Sequence, residues 1–188
     1  MSEMIRIELP LRPAVVARWS ACAQKGMAIP CRIGESLADI LTKQLGMDAQ
    51  YLETVVRTVF HNSSPVDSLD TIMVADGDMI ALAGAMPGLV GIAMGRNSPV
   101  GGFRSDISNH SMDVVDAGKG RITIKAFNVV VPELVRLALG HGVFVEAELA
   151  LELLQDAVGS TDDKGPGVLE RIGQMRGEVL LGVDWQQT

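Results

Sequence analysis

Residues 79 to 95, MIALAGAMPGLVGIAMG, carry no charged side chain and include four glycines, at Gly84, Gly88, Gly91 and Gly95. Whatever the chain folds into must bury this run, place it in lipid or hold it against a partner. A membrane helix needs roughly 20 consecutive apolar residues, and these 17 fall short. The glycine spacings Gly84 to Gly88 and Gly91 to Gly95 match the small-xxx-small pattern of packed membrane helices. Pro87 and the four glycines nevertheless make a poor helix in water, and Asp76 and Asp78 fix one end in a turn. The run therefore reads as a strand with a glycine-containing extension, outside any membrane. As an exposed extension it would be an association patch, because soluble monomers rarely leave a large contiguous apolar surface in water.

The chain has 188 residues, enough for one ordinary domain or a small domain with an accessory region. Hydrophobic residues at 47% and charged residues at 21% fit a globular chain, and aromatics at 4% leave the core to aliphatic side chains. A net charge of −7 and the lack of any Lys/Arg run argue against nucleic acid as partner. Cys22 and Cys31, nine residues apart, form neither a CxxC pair nor part of a zinc set, since His61, His110 and His141 are distant in sequence. No metal and no cofactor is expected. The opening MSEMIRIELP lacks the basic flank and apolar core of a secretory signal, so the expected location is cytoplasmic, with reduced thiols packed as small hydrophobes.

Alternation in IRIELPLR, with Ile5, Ile7 and Leu9 opposite Arg6 and Glu8, predicts a half-buried strand. A short helix over 14–26, stopped by Gly26, and a short apolar run over 27–33 follow. In GESLADILTKQLG, Ser36 can cap, Leu37, Ile40, Leu41 and Leu45 share a face, and Gly46 can end the helix in the left-handed region. This predicts a helix over 37–45. A helical turn capped by Asp48, a strand over 55–60, and a hairpin across Asp76-Gly77-Asp78 come next. The polar, glycine-rich RNSPVGGFRSDISNHS reads as a connector. Beyond it, 121–131 read as strands, PELVRLALGHG and EAELALELLQDAV as helices, VFV as a brief strand or link, and VLERIGQMRGEVLLGVDW either as a short helix followed by a strand or as an edge element that completes the first sheet.

The predicted order places one helix across a small mixed sheet, an α+β, β-grasp (ubiquitin-like) arrangement with a C-terminal α/β extension. The expected divisions are 1–95 for the β-grasp part, 96–120 for the connector and 121–188 for the extension. Within residues 27–92, VFHNSSPVDSLDTIMVADGDMIALAGAMPG also resembles the small sulfur-carrier proteins of thiamine and molybdopterin biosynthesis. The matching pieces are the strand and Asn turn of Val59 to Asn62, the polar link Pro65 to Thr71, the Asp76 to Asp78 turn, and Met79 to Gly91 as last strand and tail. The resemblance implies a carrier whose Gly-Gly carboxylate is adenylated by a partner enzyme and converted to a thiocarboxylate. Here Gly91 is followed by more chain, so sulfur transfer would need cleavage first, for example after Gly101-Gly102.

The expected function is accordingly a non-catalytic, protein-binding or assembly module that self-associates. Its tail or partner-binding residues are Met86, Pro87, Gly88, Leu89, Val90, Gly91, Gly101 and Gly102. Two alternatives remain open: a sulfur carrier activated by proteolysis and served by an adenylating or sulfur-transfer enzyme, and an enzyme or small-ligand binder with a site between the halves near Arg96, Arg104 and His110. No nucleophile elbow, phosphate-binding loop or linked acid/base pair is present in the sequence, and Asp76 and Asp78 are explained by their turn.

Overall fold

The computed structural model describes residues 4–96, 98, 117–158 and 165–186. Gly101, Gly102, Arg104 and His110 lie outside the described residues. The described part is a mixed α+β fold built on one eight-stranded sheet.

The chain begins with β1 (Met4–Pro10), α1 (Pro13–Arg18), α2 (Ser20–Lys25) and β2 (Met27–Ile33). Helix α3 (Leu37–Asp39) continues without a break as a π-helical turn over Ile40–Gln44. Helix α4 (Ala49–Thr54), β3 (Thr58–His61), β4 (Ser64–Pro65), β5 (Met79–Ala83) and α5 (Gly88–Met94) complete the first part. Next come β6 (Gly118–Phe127), a 3-10 turn over Asn128–Val130, α6 (Val131–His141), β7 (Val143–Glu146), α7 (Ala147–Val158), α8 (Gly165–Gln174) and β8 (Glu178–Gln186).

The sheet order is β1-β8-β7-β2-β6-β5-β3-β4. Strand β6 lies between β2 and β5, antiparallel to the first (Met27 opposite Ile124) and parallel to the second (Ile80 opposite Ile124). Strand β1 lies at the sheet edge and runs parallel to β8, with Ile7 opposite Val183. Its alternation was legible, but any strand with the same apolar face could have taken that place. Residues from both expected halves thus share one sheet, and Gly118–Gly120, assigned to the connector, open β6.

Along the strands Ile5, Ile7, Leu9, Ile29, Val59 and Ile80 point into a single buried cluster with the apolar faces of the helices. Leu37, Ile40 and Leu41 are fully buried in it, as their spacing predicts. Ser36 Oγ caps this helix by accepting from Asp39 N at 3.2 Å, and Gly46 ends it at φ +80°. The π turn, closed by Leu45 N to Ile40 O at 2.9 Å, was not anticipated. Gln44, within it, brackets β2 by accepting from Arg32 N (2.7 Å) and donating to Arg32 O (3.0 Å). Asp48 accepts from Tyr51 N at 2.8 Å, the expected cap of α4.

Three expectations change. The strand predicted over 55–60 occupies Thr58–His61. Asp76-Gly77-Asp78 does not close a hairpin between neighbouring apolar runs. Residues before it pair instead with the β2–α3 loop, through Gly34 N to Val74 O at 2.8 Å, while β5 pairs with β3 and β6. Residues 129–131 are not strand: Asn128 sits at φ +51°, and the chain turns there through Asn128–Val130 into α6. Asn tolerates this left-handed backbone, and its Oδ1 accepts from Gly84 N at 2.8 Å. The β-branched run looked like a strand because propensity cannot register that contact.

The contact also explains Gly84. A Cβ there would lie 2.6 Å from Val129 Cγ2 and 2.9 Å from Asn128 Oδ1. Gly84→Ala is expected to destabilise the protein by about 1–3 kcal/mol through this overpacking, measured as a lower urea midpoint. An unchanged midpoint would mean the 3-10 turn yields freely.

Candidate functional site

The two-residue turn joining β3 and β4 puts Asn62 at φ +48° and Ser63 at φ +70°, the backbone of a type I′ hairpin. Register then does what the sequence could not signal. His61 lies opposite Ile80 in β5, so the residues just before β5 pass beside the imidazole. His61 Nε2 meets Asp78 Oδ2 at 2.7 Å, Asn62 Nδ2 donates to Asp78 Oδ1 at 2.7 Å, and Ala75 N donates to Asp78 Oδ2 at 2.8 Å. Asn62 Oδ1 in turn accepts from Met79 N at 2.8 Å. His61 and Asp78 are each 8% exposed.

Burial alone would raise the Asp78 pKa, but the hydrogen bonds from Ala75, Asn62 and His61, together with the imidazole's charge, outweigh it and leave the carboxyl below its ordinary value. Both carboxylate oxygens are therefore committed, and the group holds a turn. Asp76 has the same kind of work on its neighbour, accepting from Arg121 N at 2.7 Å. Burial, and then the nearby carboxylates of Asp76, Asp78 and Glu35, push the Cys31 thiol up to about 11. Burial likewise raises Cys22. A thiol held protonated in this way is a poor nucleophile. Among the described residues no three His, Cys, Asp or Glu side chains converge as a metal site.

After β5 the chain continues into α5. Thr58 and Val59 point to opposite faces of β3; Val59 is in the core, whereas Thr58 shares a cavity of 170 Å³ with Met86, Gly91, Ile92 and Arg96. Helix α5 thus corrects the expectation of an extended tail: Gly88 turns the chain at φ +83° and residues 88–94 coil. Gly91 is buried, and a side chain there would strike the Met86 carbonyl. Pro87 precedes the first turn, exposed, and Met86 is half-buried. Leu89 and Ile92 stand 75% and 54% exposed, and Val90 belongs to the same helix. No helix among the described residues is long and apolar enough to cross a membrane.

Arg96, expected near a ligand, is engaged by its own chain. Its guanidinium donates to the Leu52 carbonyl at 3.2 Å, the Val56 carbonyl at 3.3 Å and the Asp67 carbonyl at 3.4 Å, and pairs with Glu53 at 3.1 Å. Its backbone N donates to Arg57 O at 2.6 Å. The Leu52 carbonyl is in the last turn of α4 and the Val56 carbonyl just past it, where carbonyls lack helical partners. Arg96 thereby anchors the end of α5 to α4.

No known protein family, curated protein or solved structure matches this chain.

Two outcomes follow. The lowered Asp78 pKa means that its contribution is present above the unfolded carboxylate value, about pH 4, and is lost as pH falls through the folded value. Asp78→Asn should destabilise the protein at pH 7 by about 1–3 kcal/mol and flatten the loss of stability on acidification; a variant with the wild-type acid profile would assign that loss elsewhere. Arg96→Lys should lower the melting temperature nearly as much as Arg96→Ala, because an ammonium lacks the planar fork that reaches several carbonyls. Full recovery by Lys would reduce the role to charge.

Proposed function

We propose that the chain is a non-catalytic assembly module, related in plan to β-grasp proteins, that self-associates through α5. The observation that carries this is the exposed apolar helix: Leu89 and Ile92 face solvent on a helix packed over the end of β3. Isolated exposed leucines are ordinary, but two on one short, uncharged helix form a patch. Internal packing does not account for them, since Arg96 and Gly91 already dock the helix. A second copy of this chain is the occupant proposed, and a twofold pairing of α5 with itself would bury both residues on each copy.

The β-grasp reading is supported by the portion β2-β6-β5-β3-β4. Its central pair β5/β6 is parallel, its outer pairs are antiparallel, and one helical segment after β2 contributes Leu37, Ile40 and Leu41 to the core. On this reading the strand that would open such a fold is supplied by 118–127, later in sequence than the last strand. The arrangement also changes what the processed-carrier alternative entails. Cleavage after Gly91 or Gly102 would leave β6 hydrogen-bonded to both β2 and β5, so the two fragments would remain one particle. Denaturing mass spectrometry of protein from its native host would show two fragments where native mass shows their sum; a single full-length chain removes that alternative.

Light scattering after size exclusion is expected to give a dimer for wild type and a monomer for Leu89→Asp/Ile92→Asp. Both substitutions are at exposed positions and should leave the circular dichroism unchanged. A wild-type monomer, or a dimer that survives the double substitution, overturns the assembly reading.

A further inference from the structure

An open cavity of 530 Å³ lies between α1, α4 and the start of α6. The volume is within the range of pockets that enclose a small organic ligand, roughly 300–1,000 Å³. Aliphatic side chains form part of its wall. Val16 and Ala17 of α1 line one side and Val129 and Pro132 the other, with Leu11 at the rim. Leu11 and Val129 are 37% and 65% exposed, large apolar side chains left in water beside an apolar hollow.

Ser20 also lines the cavity, and the remaining polar groups of the lining fall into two kinds. Glu133 and Arg136 satisfy each other through two hydrogen bonds, at 2.9 and 2.6 Å, and Tyr51 Oη donates to the Val129 carbonyl at 3.3 Å. These are already partnered and shape the cavity without offering a free charge. Arg12 differs: its guanidinium has no hydrogen bond or ion pair with the described residues, in a chain of net charge −7 that supplies carboxylates to many of its other arginines. A planar guanidinium without a partner among the described residues, next to an aliphatic trough, is complementary to an apolar body ending in a carboxylate, which the fork can bind through two parallel hydrogen bonds.

We propose that this cavity binds an amphipathic carboxylic acid, with its hydrocarbon body between Val16, Ala17, Val129 and Pro132 and its carboxylate on Arg12. The proposal does not rest on assembly through α5. Neither the length of the acid's chain nor its functional decoration is needed for the recognition; an aliphatic body and a single negative head are.

Isothermal titration of the full chain with decanoate, below its micelle-forming concentration, tests this. Decanoate is expected to bind saturably with one site per chain, and decyltrimethylammonium, with the same body and the opposite charge, at least tenfold more weakly. Arg12→Glu is expected to weaken decanoate at least tenfold. Ala17→Trp, at an exposed position of α1, is expected to fill the trough and abolish binding. Circular dichroism confirms that both variants are folded. Absence of saturable binding, equal affinity for the two charge types, or wild-type affinity in either variant overturns the proposal.

Discussion

The fold depends on one placement: β6 enters between β2 and β5 and satisfies the backbone of both. A central strand has donors and acceptors along two edges, and neither edge can be left unpaired in the interior without a cost of the order of a lost hydrogen bond per group. Strand β6 meets this requirement antiparallel on one side and parallel on the other, over Gly118 to Phe127. It is what makes one sheet of residues that are far apart in sequence, and a cut in the chain between β5 and β6 would leave that pairing intact.

The junctions around β5 are built from polar side chains more than from apolar contact. Asp78, His61 and Asn62 fix how β5 leaves its preceding loop, and Asn128 takes the amide of Gly84 where β5 ends. Arg96 then fastens the chain after α5 to α4. Each is a directional bond at a place where the backbone changes course, and such bonds define an angle that aliphatic packing leaves free. The result is that the chain after α5 is fastened to α4 and Gly91 packs against Met86 while Leu89 and Ile92 stand exposed.

Much of the local structure was legible. The helix from Leu37, its Ser36 cap and Gly46 stop, the Asp48 cap, and the helices from Val131 and Ala147 follow from periodicity and capping chemistry that act over a few residues. Less legible were elements decided by a distant partner. Residues 129–131 have strand composition but bend because Asn128 serves Gly84, and residues 88–94 coil despite their glycines because the helix is anchored from outside. Of the expected functional residues, Gly88 to Gly91 lie in the short helix α5, and Arg96 is committed to carbonyls that no sequence pattern brings near it.

The amino-acid sequence by itself determined the inventory: which segments have an apolar face, where helices start, and that the uncharged run over 79–95 is too short to cross a bilayer. These properties are set by neighbours within one or two turns. Only the tertiary structure decided the order of strands, the meeting of His61 with Asp78, and the cavity where Arg12 stands beside Val16 and Val129. Those depend on register and on contacts between residues tens of positions apart, and a strand's alternation is equally compatible with several neighbours until the whole sheet must close its hydrogen bonds together.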